Sequence, residues 1–345
     1  MGGHSTRLAR FIWAHKLGRT RLSYAPIFVW IEPTNRCNLK CPQCPTGEGL
    51  RRERGDMTID VYEQILGKLK QTPPLLLTLH LAGEPLLSKN IFEMIRMAKA
   101  AGMQTTLSTN ATPLSEETSR RLIEAGLDSI RLDFCADKEK FEQVRLGASW
   151  ERTYANIIGL LKAKSEMNAE RPIVRVKDVS SSGASHSERV KRMGQLKNMF
   201  REYPIKGFSS LEIHNWAGTF AAEHDGLGKN RHRRKQLHPC SHLWTSIAIT
   251  CDGLVVPCCR DLECECVLGD LKSQSLDEIW NGEKLRDMRK AMIEGDLKDV
   301  PLCAKCSRLY QKPRFIFYTL GFIYMRLDQL VSRLIGSRQR PSPRG

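Results

Sequence analysis

No apolar run in this chain approaches the ~20 residues needed to cross a bilayer. The longest, Phe315 to Met325, has eleven residues and is bounded by Arg314 and Arg326. A secretion signal is missing too: the apolar start around Leu8–Ala14 is broken by Arg10 and has no small-residue cleavage site. The chain is therefore expected in a reducing cytoplasm, where its 12 cysteines point to metal ligation or catalysis rather than disulfides. Internal repeats and extended low-complexity segments are also lacking. Acid is scarce at the ends. Residues 1–25 hold Arg7, Arg10, Lys16, Arg19 and Arg21 with no acid, and 311–345 hold seven bases against Asp328 alone. With Lys229, Arg231, Arg233, Arg234 and Lys235, these segments account for the whole net charge of +16 and leave a neutral body.

A nucleic-acid binder needs its bases on a folded face with stacking or base-reading residues. Here the charge sits at two ends and in one linker, so nucleic acid is not the expected partner. Both ends mix bases with large apolar residues: Phe11, Ile12, Trp13 and Leu17 at the front, Phe315, Phe317, Phe322 and Tyr324 at the back. That pattern suits a helix lying on an anionic membrane surface, and predicts peripheral contact at the inner face of the membrane.

With 41% apolar residues the chain can bury a large core. Strands are expected at Phe28–Glu32, Leu75–Leu81, Thr105–Ser108, Ser129–Phe134, Ile173–Asp178 and Ser209–Asn215. Helices are expected near 58–70, 90–102, 115–125, 149–166 and 186–200, the third capped by Ser115 and closed by Gly126. Repeated strand–helix units imply a parallel sheet with right-handed crossovers, here a partial (β/α)6 barrel of TIM type, with chemistry at the strand C-termini. From residue 240 the texture becomes cysteine-rich. A hairpin is expected over Ile247–Thr250 and Leu254–Val256 with a turn at Asp252-Gly253, then a helix over Leu276–Glu294. The expected organisation is a basic amphipathic segment (1–27), a barrel (28–225), a basic linker (226–239), a small cysteine-rich domain (240–310) and a basic amphipathic tail (311–345).

Cys37, Cys41 and Cys44 form C-x3-C-x2-C just after the first strand. Three thiolates on one tight loop suit a four-iron cubane with one iron left open to a small molecule. Structural zinc is the competing reading, but it calls for four closed ligands, and no fourth follows nearby.

The run Arg36-Cys37-Asn38-Leu39-Lys40-Cys41-Pro42-Gln43-Cys44-Pro45 resembles the signature of the radical S-adenosylmethionine (SAM) superfamily. Gly83-Glu84-Pro85 resembles the family's GGEP segment, with Ala82 in place of its first glycine. Gln43 stands where many members carry an aromatic residue. Ser108 and Asn110 lie where the family contacts the SAM ribose or carboxylate, and Arg145 resembles the arginine that holds the carboxylate. The resemblance implies that Cys37, Cys41 and Cys44 hold a [4Fe–4S] cluster whose open iron binds SAM. It further implies reductive cleavage to a 5′-deoxyadenosyl radical that takes hydrogen from an unactivated carbon, with a flavodoxin- or ferredoxin-type protein as external one-electron reductant. The residues from Cys240 to Cys306 resemble the SPASM or twitch auxiliary-cluster region. By that resemblance Cys240, Cys258, Cys303 and Cys306 hold one auxiliary [4Fe–4S] cluster. Cys251, Cys259, Cys264 and Cys266 are left over; they read first as thiols that behave like small hydrophobes, with ligation of a further cluster as the alternative.

The radical chemistry is expected to oxidise or epimerise a small hydroxylated molecule such as a sugar, a cyclitol or a lipid-linked glycan. Modification of a peptide is the first alternative, although 27 residues before the first strand are few for a peptide-recognition extension. A non-catalytic iron–sulfur or zinc protein on membrane or nucleic acid is the second. Two residues at the end of the fourth strand are candidate catalytic groups. Cys135 would donate a hydrogen atom in epimerisation, and Asp133, its alternation partner, would take a hydroxyl proton in oxidation. Glu212 and His214 alternate onto one face of the sixth strand as further pocket candidates.

Overall fold

The structure is a computed structural model. It describes residues 2–180, 185–211, 214–219 and 238–310. The basic tail 311–345, most of the linker 226–239 and Glu212 lie outside the described residues.

The chain opens with helix α1 (Gly2–Lys16), strand β1 (Phe28–Ile31), the short α2 (Pro45–Glu48) and α3 (Ile59–Lys70). Next come β2 (Leu76–Thr78), α4 (Ile91–Ala100), β3 (Thr105–Thr109), α5 (Glu116–Glu124), β4 (Ser129–Phe134), α6 (Lys138–Val144) and α7 (Trp150–Glu166). β5 (Ile173–Asp178), α8 (His186–Met199) and β6 (Gly207–Ser210) close the barrel portion. The cysteine-rich part supplies α9 (His242–Thr245), β7 (Ser246–Ile249), β8 (Leu254–Val256), β9 (Gly269–Asp270), α10 (Leu276–Trp280), α11 (Glu283–Glu294) and α12 (Pro301–Ala304).

The first five barrel strands form in the expected places; the sixth, expected over Ser209–Asn215, is formed by Gly207–Ser210 and ends before His214, which therefore does not lie on it, and neighbours pair in parallel from β1 through β6. Ser115 accepts from Thr118 N to cap α5, and Gly126 leaves that helix with φ +81°. Alternation is clean on β4 and β5. Ile130, Leu132 and Phe134, with Val174 and Val176, are buried beneath the helices, so Arg131, Asp133, Arg175 and Lys177 occupy the inner face.

Two further expectations are corrected. The helix expected over Leu276–Glu294 is two helices, broken at Asn281-Gly282. Asn281 spends its side chain on the N-terminal segment, accepting from Leu22 N at 2.8 Å and donating to Leu22 O at 3.0 Å. The cysteine-rich part also continues the barrel sheet. β7 pairs in parallel with β1, giving one nine-stranded sheet in the order β6-β5-β4-β3-β2-β1-β7-β8-β9.

The N-terminal segment docks on the helices of the cysteine-rich part. Phe11, Ala14, Leu22 and Tyr24 are buried. Trp244 donates to Arg19 O, Trp280 to Tyr24 O, Tyr24 to Trp244 O and Arg289 to Thr20 O. Among the described residues, no helix is long and apolar enough to cross a membrane.

At the C-terminal end of β1 a fully buried carboxylate, Glu32, receives both terminal nitrogens of Arg52 (2.8 Å from Nη1), Ala82 N at 3.3 Å and Cys251 N at 3.1 Å. Removing one member of a buried ion pair leaves an uncompensated charge, at a cost of about 3–5 kcal/mol. Arg52→Met is therefore expected to lower the free energy of unfolding in urea by about 3 kcal/mol, and adding Glu32→Gln to recover part of that loss.

Candidate radical SAM site

The first cysteine loop follows β1 and is held from two sides. Lys40 N donates to Leu146 O at 3.0 Å, and Glu84 N donates to Arg36 O at 2.9 Å. Gly83 is the residue that permits this approach, because a Cβ there would stand 2.6 Å from Arg36 O. The three thiols lie close enough to act on one another electrostatically. Cys37 is pushed up to about 11, first by burial and then by the nearby charges of Glu84, Cys41 and Cys44, against a backbone hydrogen bond at Leu39. Burial likewise raises Cys41, opposed by Arg145, which hydrogen-bonds it. A trio of crowded thiols beside a buried guanidinium fits an anionic thiolate-ligated cluster.

Glu84 is the hub of the loop ends. It accepts from Thr109 Oγ1 at 2.7 Å, Asn110 N at 2.7 Å and Leu86 N at 3.1 Å. Burial lifts its carboxyl to about 7 even though these bonds favour the charged form. Pro85 opens the following turn and is buried. The Asn110 side chain is tied back to the cysteine loop, donating to Asn38 Oδ1 at 3.1 Å and accepting from Thr112.

Arg145 pairs with Asp133 at 2.7 Å, and Lys177 approaches the same carboxylate at 3.4 Å. Burial alone would raise Asp133, but Lys177 and Arg145 outweigh it and hold the group below the ordinary carboxylate range. Ser108 Oγ lies 3.5 Å from Asp133, and Ser108 N donates to His80 Nδ1 at 3.0 Å. The candidate residues Gly83, Glu84, Pro85, Ser108, Asn110, Asp133 and Arg145 thus gather with the three cysteines at the strand C-termini.

Cys135 does not join them. The strand ends at Phe134, so alternation stops one residue short of it. Its thiol is 1% exposed and donates to Asp137 O at 3.1 Å, and its neighbours are Asp178 and Ser180 rather than Asp133.

In the second cysteine group, Cys240, Cys258, Cys259 and Cys306 act electrostatically on the half-buried Arg260, and Cys240 and Cys306 on Cys303, so Cys259, left over in the sequence reading, lies near the four expected ligands. Arg260 Nε is buried without a hydrogen-bond partner, as expected where an anionic cluster would sit against it. Cys251 and Cys264 instead lie around Glu32 and Arg52, and Cys266 lies beside Asp261 and Met288. Among the described residues, no three His, Cys, Asp or Glu side chains close on one point as ligands of a single ion would.

A family model of the radical SAM superfamily matches residues 31–168, and the SPASM iron–sulfur cluster-binding domain matches 240–307. This chain is a radical SAM protein. Its cofactors are SAM and a [4Fe–4S] cluster, with auxiliary iron–sulfur in the SPASM region. A PqqA peptide cyclase of Rhodopseudomonas palustris is 34% identical over 110 residues, which span 32% of this chain and 29% of that protein. The chain matches less than a third of the length of this relative. A SAM-dependent 2-deoxy-scyllo-inosamine dehydrogenase of Niallia circulans is 23% identical over 81% of this chain and 92% of its own length. Among solved structures, BtrN in complex with AdoMet and 2-DOIA superposes with a TM-score of 0.56 at 18% identity, over 84% of this chain and 96% of that one. Native anSMEcpe with bound AdoMet gives 0.58 at 15%, over 92% and 100%. At these identities the superpositions establish the shared fold.

Sequence reasoning did not find His80, Arg131, Lys177, Trp216 or Arg260. Alternation along β4 and β5 contained the signal for Arg131 and Lys177. Trp216, which donates to Gln43 O at 2.8 Å, carried none, because the contact spans 173 residues. Two cubanes contain about eight irons. Reconstituted protein is expected to hold roughly that many per chain, and Cys37→Ala or Cys258→Ala to lower the count by about four, whereas Cys251→Ala leaves it unchanged.

Proposed function

We propose that this radical SAM protein is an oxidoreductase that abstracts hydrogen from an unactivated carbon of a small hydroxylated molecule, a sugar, a cyclitol or a lipid-linked glycan. The observation that carries the reading is the meeting of the cysteine loop, Glu84, Asn110 and Arg145 at one mouth that leads onto a polar inner face. Cys37, Cys41 and Cys44 would hold the SAM-binding cluster, and Cys240, Cys258, Cys303 and Cys306 one auxiliary cluster. When bound, SAM and its cluster supply a radical able to take hydrogen from carbon, and auxiliary iron–sulfur an acceptor for the remaining electron.

The chain's own groups then divide the work. Gly83, Glu84 and Pro85 shape the turn against the cysteine loop. Arg145 offers a guanidinium to a carboxylate. Asp133, kept ionised between Arg145 and Lys177, is the acceptor for a substrate hydroxyl and its proton. Oxidation is favoured over epimerisation because the Cys135 thiol is committed to the core behind the strand. The named activity of the Niallia circulans relative, a cyclitol dehydrogenase, accords with this; peptide modification is the alternative that the PqqA cyclase keeps open. Reconstituted protein given dithionite and SAM is expected to release 5′-deoxyadenosine, and Cys135→Ala to leave that release and product formation unchanged. Turnover lost in Cys135→Ala with SAM cleavage intact would restore the hydrogen-donor role and epimerisation.

Peripheral membrane contact belongs to the same reading. Trp13 on α1 is 65% and Leu17, just after that helix, 58% exposed, near Lys16, Arg19 and Arg21 in the sequence and with exposed Ile293 against Gly18. Aromatic and aliphatic residues ringed by bases suit an anionic lipid surface. Co-sedimentation with phosphatidylglycerol vesicles is expected, and Trp13→Glu with Leu17→Glu should cut the bound fraction several-fold.

A further inference from the structure

Two successive residues beyond β6, Trp216 and Ala217, hold positive φ, at +46° and +56°. Residues other than glycine adopt this left-handed region at a cost, and keep it only where their surroundings over-determine it. The surroundings here are the two cysteine groups, reached across 173 residues on one side and 92 on the other.

The grip on the SPASM side is Asn215. Its side chain donates to Lys305 O at 2.7 Å and accepts from Ser307 N at 3.0 Å, while Asn215 N donates to Ser307 Oγ at 3.3 Å. Lys305 and Ser307 are the two chain neighbours of Cys306, and Asn215 and Ser307 are buried. The grip on the other side is Trp216. Its indole donates to Gln43 O at 2.8 Å, and Gln43 lies between Cys41 and Cys44. His214 steadies the indole, meeting it edge-on with ring centroids 4.4 Å apart. Two adjacent residues of one short strap thus hold the peptide around Cys306 and the peptide between two thiols of the first loop.

The Gln43 end bears on a bound molecule. Trp216 occupies the Gln43 main-chain carbonyl, and the side-chain Oε1 is buried with no hydrogen-bond partner among the described residues. Buried acceptors are paired in folded proteins, so the missing donor is expected from a bound group. SAM carries N–H donors in its amino groups.

We propose that Trp216 is a positioning residue of the SAM site: through Gln43 it ties the first cysteine loop to the peptide that carries Cys306, so that SAM affinity depends on the SPASM region. Groups that hold a ligand-bearing peptide set where its ligands point. The left-handed pair persists because both grips act at once. Releasing either one lets Trp216 and Ala217 relax and slackens the other. The proposal stands whichever substrate is oxidised, since the strap takes no part in that chemistry.

The test is SAM binding by anaerobically reconstituted holoenzyme, followed by calorimetry and by the electron paramagnetic resonance spectrum of the dithionite-reduced protein with and without SAM. Trp216→Phe keeps an aromatic ring and removes the N–H. It is expected to weaken SAM about fivefold and to alter the spectral change that SAM induces, with iron per chain unchanged. Asn215→Ala lies at the far grip and is expected to weaken SAM by a similar factor. The double variant should bind no more weakly than the poorer single one, because either change opens the same tie. Ser307→Ala takes the place of Asn215→Ala should that variant lose iron. Wild-type SAM affinity in Trp216→Phe overturns the proposal. A weakening that the far-grip variants do not share also overturns it and makes Trp216 a local contact of SAM, as do losses that multiply in the double variant. Release of 5′-deoxyadenosine by the wild-type preparation reports separately on the proposed function.

Discussion

Glu32 is the constraint on which the assembly depends. A carboxylate with no exposure to water must have its oxygens filled, and here the donors come from three distant stretches: Arg52 after the cysteine loop, Ala82 at the head of the Gly83-Glu84-Pro85 turn, and Cys251 at the tip of the SPASM hairpin. Arg52 extends the junction by donating through Nε to Leu262 O. Strand β1, the turn beside the cysteine loop and the SPASM hairpin can therefore be correct only together. The Gly83-Glu84-Pro85 turn is not a free loop on a barrel rim, because it is braced through Glu32 by the part of the chain that carries the second cysteine group.

The two faces of the sheet obey different physics. Outward, Ile130, Leu132, Phe134, Val174 and Val176 bury apolar surface beneath the helices and fix the strands. Inward, Arg131, Asp133 and Lys177 keep charge in a half-enclosed space, where neighbouring histidines are forced neutral: His214 falls to about 2 through burial, then Arg260, Lys177 and Arg308. The bases on this face keep the Asp133 carboxylate ionised despite burial.

Much of this was legible in the residues. Five strands, the caps of α5 and both cysteine groups carry local signals: β-branched runs, Ser115 before a helical pattern, short Cys spacings; the sixth strand was read too far along the chain. The resemblance around Cys37 and Gly83 singled out the mouth residues that the fold brings together. What escaped was set by distance or by single-residue breaks in a pattern. Asn281 ends a helix because its amide is needed by Leu22, 259 positions away, and propensity along the helix cannot report that. Cys135 left the inner face because the strand stopped at Phe134, so an alternation rule was carried one residue too far. The docking of the N-terminal segment through Trp244 and Trp280 had no local signature, and neither did the merging of the SPASM hairpin with the barrel sheet.

That merging has a mechanical consequence. Strands β1 and β7 are hydrogen-bonded neighbours, and adjacent strands stand about 4.8 Å apart with little give. The loop after β1 carries one set of thiols, and the stretch beyond β7 and β8 carries much of the other. The gap between the two cofactor stations is thus graduated by a backbone ladder rather than by a hinge. In the function proposed above, that ladder would hold the separation of the two clusters constant.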